Sequence, residues 1–166
     1  MHMADALVSP PVATGMAVAS LAVGAYSIFK IKKENKPENI PVMGVMGAFV
    51  FATQMVNFTI PGTGSSGHLC GGLLLSALIG PYGGFLSMMA ILLLQCLLFA
   101  DGGLMAYGCN VWNMAFYACF FGYFCIYKPI LRKNPSKKKI LIASILGSVL
   151  SLQLGAFSVT LETLIS

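Results

Sequence analysis

Residues 40–68 read IPVMGVMGAFVFATQMVNFTIPGTGSSGH and residues 69–100 read LCGGLLLSALIGPYGGFLSMMAILLLQCLLFA. They form 61 consecutive residues without a formal charge, His68 being taken as neutral. After Asp101 a further 26 uncharged residues follow, 102–127. Two basic clusters bracket this apolar block: KIKKENK (30–36) and KPILRKNPSKKK (128–139). They hold all ten Lys and Arg residues of the chain. Clustered positive charge is retained on the cytoplasmic side of a membrane during insertion. Both clusters are therefore expected inside, so the number of crossings between them is even. Two crossings would leave spans far too long, whereas four average about 20 residues, the length of a transmembrane helix.

The rest of the chain extends this count. Residues 12–29 carry no charge, are preceded by no basic residue and are followed by the first cluster. That order is the reverse of a cleavable signal peptide and puts the amino terminus outside. Residues 140–162 supply a last span, with Glu162 marking its outer end. The punctuation agrees: IPGTGSSGH (60–68), GPYGG (80–84) and ADGG (100–103) separate the middle spans. The expected fold is all-α: a polytopic helical membrane protein of about six transmembrane helices, at roughly 12–29, 40–60, 68–80, 82–100, 103–127 and 140–162, because lipid-exposed irregular backbone is not tolerated. The whole chain, 1–166, reads as a single integral membrane domain of the cell (inner) membrane.

Composition supports this and excludes other classes. The chain is 57% hydrophobic and 9% charged, against about 25% charged in soluble domains. Its net charge of +5 sits in loops that lack the aromatic and polar neighbours of a nucleic-acid groove. The five cysteines (Cys70, Cys96, Cys109, Cys119, Cys125) show no CxxC spacing and read as small buried hydrophobes. There is no phosphate-binding loop, catalytic triad or carboxylate pair, so no enzyme and no catalytic cofactor are expected.

The parity count places both histidines of the chain on the outer side. His2 follows the terminal Met1, and His68 lies in the connection between the second and third spans. Met1 offers an α-amine, and His2 a backbone nitrogen and an imidazole; these form fused chelate rings near one plane, which a second imidazole, His68, could close. Planar all-nitrogen coordination suits Ni(II) and Cu(II) and is poor for Zn(II) or Mg(II). Taken one at a time, a residue at position 2 is often arbitrary and a loop histidine is often merely solvated. On one face together, Met1, His2 and His68 are candidate metal ligands. Asn57, Ser65 and Ser66 are candidates to orient them. Asn110 and Asn113, in GCNVWNM (108–114), read as interhelical hydrogen-bonding residues within a span.

The stretches MHMADALVSPPV, MVNFTIPGTGSSGHLCGG, LLFADGGLMAYGCNVWNM and FFGYFCIYKPI together resemble the CbiM/NikM family. These are the substrate-specificity components of energy-coupling-factor transporters for nickel or cobalt. The family opens Met-His-Ile-Pro-Asp/Glu-Gly; Met1, His2 and Asp5 match, while Met3, Ala4 and Ala6 depart. Its Thr-Ser-Gly-His-Leu falls within residues 64–69, with serine in place of threonine. The resemblance implies Met1, His2 and His68 as ligands of a transported Ni(II) or Co(II) ion. It also implies a coupling transmembrane subunit, cytoplasmic ATPase subunits and often a small accessory membrane subunit as partners. The family's pattern continues with a further transmembrane helix; here the sixth span is expected to leave Ser166 outside, that helix being either deleted or supplied by another chain. Three rival readings remain at this point. One is a related scaffold for an organic substrate, which needs an apolar pocket indifferent to His2. Another is a membrane thiol-redox protein that uses the cysteines. The third is a packing or assembly subunit with no ligand.

Overall fold

The computed structural model describes residues 2–34, 36–62 and 65–166, Ser65 by its backbone alone. Five helices and one β-hairpin follow in order: α1 (Pro10–Glu34), α2 (Asn39–Gln54), β1 (Asn57–Ile60), β2 (Ser65–His68), α3 (Gly72–Phe99), α4 (Tyr107–Leu131) and α5 (Lys137–Leu164). Helices α1, α3, α4 and α5 are long and apolar enough to cross a membrane; α2 is apolar but only 16 residues long. The chain is a multi-pass membrane protein.

Helix α3 is not straight. At Gly80 the backbone takes φ 82° and ψ 160°, a conformation essentially confined to glycine. Pro81 then starts the second leg, as proline does at a first helical turn. A Cβ built on Gly84 would fall 2.7 Å from Ser76 Oγ and 2.8 Å from Ser76 N. In a continuous helix eight residues are about 12 Å apart, so the chain doubles back at Gly80. The GPYGG break expected from the sequence is this reversal.

The all-α multi-pass fold is as expected, and the helix count differs from about six in two places. Residues 72–79, the first leg of α3, rise only about 12 Å and cannot cross a hydrocarbon core of about 30 Å. The expected span 40–60 also ends early: α2 stops at Gln54, and residues 57–60 pair with 65–68 instead. NFTI carries β-branched and aromatic residues that fit a strand, and Pro61 followed by Gly62 at φ 76° starts the turn that ends it, a positive φ that glycine takes without strain. A hairpin satisfies its own backbone groups, which is how non-helical chain is accommodated within an apolar protein.

With the reversal counted, the chain makes six legs, and the two basic clusters come together. Tyr82, just past the bend, packs edge-on against Tyr26 of α1 and Phe124 of α4, at 5.9 and 6.4 Å between ring centroids. Lys30 lies 5.3 Å over Tyr26 and Lys128 lies 5.5 Å over Phe124. The first residue of each basic cluster is thus at the same end of the bundle.

Close helix crossings depend on small residues. Gly108 of α4 lies against the backbone of Met16 and Ala17 in α1, where a Cβ would overlap it, and Ser20 Oγ donates to Gly108 O at 2.8 Å. The core between α2, α3 and α4 is built on Val50, Leu75, Phe85, Met88, Leu92 and Met114. Residues 112–127 of α4 are wound in the wider π form, a geometry that recurs at functional sites.

Candidate metal centre

The site lies at the end of the bundle opposite the basic clusters, and the first element that builds it is the amino-terminal segment. Met3 is fully buried and packs with Val8, Ala13, Ala106 and Cys109. Its backbone is stitched down on both sides. Met3 N donates to Asn110 Oδ1 at 2.7 Å, while Met3 O accepts from Gly103 N at 2.9 Å and Asn110 Nδ2 at 3.3 Å. Asp5 Oδ1 accepts from Ala106 N at 3.0 Å. A Cβ on Gly103 would overlap the Asp5 carboxylate. Each bond satisfies a backbone group that would cost about 1–3 kcal/mol if left bare away from water. The segment is therefore held folded into the bundle, and His2 is only 3% exposed.

The hairpin supplies the second imidazole. Its register pairs Asn57 with His68 and Thr59 with Ser66. Alternation puts Ser66 and His68 on one face of β2, and Asn57 sits opposite His68. Two of these residues converge on a carboxylate from the α3–α4 loop: Asn57 Nδ2 donates to Asp101 Oδ2 at 2.6 Å, and Ser66 Oγ donates to Asp101 Oδ1 at 3.1 Å.

The rings of His2 and His68 have centroids 4.8 Å apart and planes tilted by 34°. A metal about 2.0–2.1 Å from one nitrogen of each ring would hold the centroids about 4.5–6.3 Å apart, depending on the angle at the ion. His68 Nδ1 lies 2.6 Å from Leu69 O. A carbonyl only accepts, so this nitrogen carries the proton and Nε2 keeps its lone pair. His2 Nδ1 lies 3.1 Å from Asp101 Oδ1 and 3.4 Å from Ser66 Oγ. The carboxylate likewise only accepts, so Nδ1 donates to it. Both Nε2 atoms are buried and have no hydrogen-bond partner among the described residues. Two bare imidazole nitrogens, each oriented through its other nitrogen, form a donor pair of the kind that holds metals.

Electrostatics favour a cation here. Asp5, Asp101 and Glu162 all lie at this end, whereas every Lys and Arg belongs to the clusters at the other. An opening of about 330 Å³ reaches His2 and is lined in part by Asp5, Ser66 and Asp101. Burial pushes the His68 imidazole down to about 4, which keeps it neutral. For Asp101, burial works to raise the carboxyl, but the hydrogen bonds from His2, Ser66 and Asn57 outweigh it and bring it down to about 2.

Of the residues expected from the sequence, His2, His68, Ser66 and Asn57 come together in one cluster. Met1 lies outside the described residues, and so does the side chain of Ser65. The expected terminal chelate has a geometric consequence: only Nδ1 of His2 is close enough to its own amide to close a ring with it, and that atom is the one bound to Asp101. Sequence reasoning missed Asp101, which was read only as part of the ADGG break; its single charge in a long apolar stretch was the available signal. It also placed Glu162 as an outer marker, whereas Glu162 is 4% exposed and accepts from Asn113 Nδ2 at 2.7 Å. All five cysteines are free.

Comparison with known proteins gives a consistent result. The chain matches the model of the family described as CbiM, cobalt uptake substrate-specific transmembrane region, over residues 2–166. A relative from Archaeoglobus fulgidus, provisionally named a fused nickel transport protein NikMN, is 43% identical over 136 residues, which are 82% of this chain and 44% of its own. The cobalt transport protein CbiM of Acetoanaerobium sticklandii is 34% identical over 145 residues, 86% of this chain and 59% of its own. A crystal structure of a truncated transition metal transporter superposes with a TM-score of 0.88 at 32% identity, covering 98% of this chain and 74% of that one. The chain thus spans about half the length of these curated relatives.

Proposed function

The chain belongs to the CbiM family of cobalt-uptake transmembrane regions, and from that premise we propose that it captures a Ni(II) or Co(II) ion at the end of the bundle opposite its basic loops. It acts as the substrate-specificity component of an energy-coupling-factor importer. A coupling membrane subunit and cytoplasmic ATPases, with a small accessory membrane subunit, supply the work of transport. The ion is held by His68 Nε2 and the His2 imidazole, and the Met1 amine and His2 amide complete four nitrogens. Closing that chelate exchanges the Asp101 contact at His2 Nδ1 for the ion: the ring proton moves to Nε2, and the amide proton is released. A planar four-nitrogen set favours Ni(II) over Co(II), which more often takes tetrahedral or octahedral sites.

The observation that carries this reading is that the fold brings the His2 and His68 rings together, with centroids 4.8 Å apart, and leaves the buried Nε2 of His68 unpartnered among the described residues. Isothermal titration of the detergent-solubilised chain with Ni(II) tests it. Saturable binding lost in both His2→Ala and His68→Ala is expected. Ni(II) affinity indifferent to both changes would refute it.

A further inference from the structure

A second group of donors lies beside the histidine site and takes no part in it. Glu162 of α5 is 4% exposed and Asn113 of α4 is 1% exposed. Asn113 Nδ2 donates to Glu162 Oε2 at 2.7 Å and also approaches Met3 Sδ at 3.7 Å. Cys109 of α4 is fully buried in the same packed cluster as Met3. The remaining oxygens of the pair, Glu162 Oε1 and Asn113 Oδ1, are both buried and have no hydrogen-bond partner among the described residues.

The balance of this cluster points to a ligand. The amide hydrogens of Asn113 are engaged, one on Glu162 Oε2 and one on the Met3 thioether, while two oxygen acceptors remain. A buried acceptor left bare costs about 1–3 kcal/mol, and more when it is charged. An ionisable residue inside a membrane domain is costly without a partner, and no Lys or Arg lies at this end of the bundle. A cation satisfies both oxygens at once. Carboxylate and amide oxygens together with thiol and thioether sulfurs form a mixed hard and soft set, which suits a borderline divalent transition metal better than Mg(II) or Ca(II). The cluster is also coupled to the histidine site through the backbone: Met3 follows His2 directly, and Asn113 shares a cavity of about 290 Å³ with His68.

We propose that Glu162, Asn113, Cys109 and Met3 form a second, weaker site for a divalent transition-metal ion, an inner station next to the histidine site. This rests on the reading of the chain as a carrier of Ni(II) or Co(II). It differs from the first site in using sulfur, and that difference makes it separately observable.

The test is titration of the detergent-solubilised chain with Co(II), followed by equilibrium dialysis and absorption spectroscopy. The wild-type chain is expected to bind two Co(II) ions, the weaker with a sulfur-to-cobalt charge-transfer band. Glu162→Gln keeps the shape of the side chain; it should reduce the stoichiometry to one and abolish the band. Cys109→Ser should weaken the band at least severalfold. His68→Ala should remove the tight site and leave the band inducible at higher Co(II). A single ion per wild-type chain without a sulfur band overturns the second site, as does a band unaffected by both Glu162→Gln and Cys109→Ser. Loss of the tight site alone, with the band present, would instead count against the histidine reading.

Discussion

His2 Nδ1 and Asp101 Oδ1, 99 positions apart in the chain, meet at 3.1 Å. The same carboxylate accepts from Ser66 at 3.1 Å and Asn57 at 2.6 Å. One loop residue therefore ties the amino-terminal segment to the hairpin that carries His68. Replacing Asp101 by Asn keeps the size but removes the charge and one strong acceptor. Loss of such an orienting partner typically costs about 10–100-fold in metal affinity. Titration with Ni(II) should register a drop of that order. Because Asp101 gives up Nδ1 when the chelate closes, the drop would come from its hold on the hairpin through Ser66 and Asn57 and from its charge; a rise in affinity would show that freeing Nδ1 outweighs both.

The imidazole pair makes a sharper prediction. His2→Ala and His68→Ala should each weaken Ni(II) binding by more than about 100-fold, since each removes a direct ligand rather than an orienting group. One extra residue before Met1 should do the same if the terminal amine belongs to the set. Unchanged affinity in the extended protein would remove the amine from the ligand set and leave the imidazoles in it. A planar four-nitrogen Ni(II) centre is diamagnetic, so the bound ring nitrogens should give sharp nitrogen-15 resonances; broadened, paramagnetically shifted signals would contradict that geometry.

Proton release on binding follows from the burial of His68. Its imidazole is pushed down to about 4 from an ordinary 6.5, so between pH 5 and 7 it carries no proton for the metal to displace. Calorimetry in buffers of different ionisation enthalpy should find proton release at pH 6 coming from other groups, with His68 contributing none. Release that includes one proton from His68 would contradict its neutral state.

Stability of the metal-free chain should fall in acid in two steps. For His68 the unfolded chain takes up the proton near 6.5 and the folded chain only near 4, so acidification through that window favours unfolding. For Asp101 the folded carboxyl sits at about 2 against 3.8, so its contribution is present above 3.8 and is lost as pH falls towards 2. Asp101→Asn should flatten the lower step in a thermal-shift series across pH, while His68→Ala should flatten the upper one.

Gly102 tests the site without touching a donor. It sits at φ 93°, and a Cβ there would come 3.0 Å from His2 Cδ2 and 2.9 Å from Asn110 Nδ2. Gly102→Ala combines left-handed strain of about 1–2 kcal/mol with a displaced His2 ring. Affinity for Ni(II) should fall by about tenfold or more, with the folded fraction by size-exclusion chromatography unchanged. Full affinity would mean that the loop yields without moving His2.

Much of the architecture was legible in the residues taken in order. Charge placement alone required both basic clusters at one end and an even number of legs between them, and Lys30 and Lys128 flank the same Tyr82. That parity also put His2 and His68 at a common end. These properties follow from the free energy of moving single residues between water and lipid, which is nearly additive along a chain. Packing decided the remainder. Gly80 turned one expected boundary into a reversal, and NFTI left the helical run to pair with its own continuation. Asp101 and Glu162 became partners of residues some 50 to 100 positions away. Hydropathy weighs each residue alone, so it cannot register that a loop carboxylate completes an imidazole, or that a helix-end glutamate turns inward to meet an asparagine. Such contacts arise only when the helices close and each buried polar group must find a partner within about 3 Å.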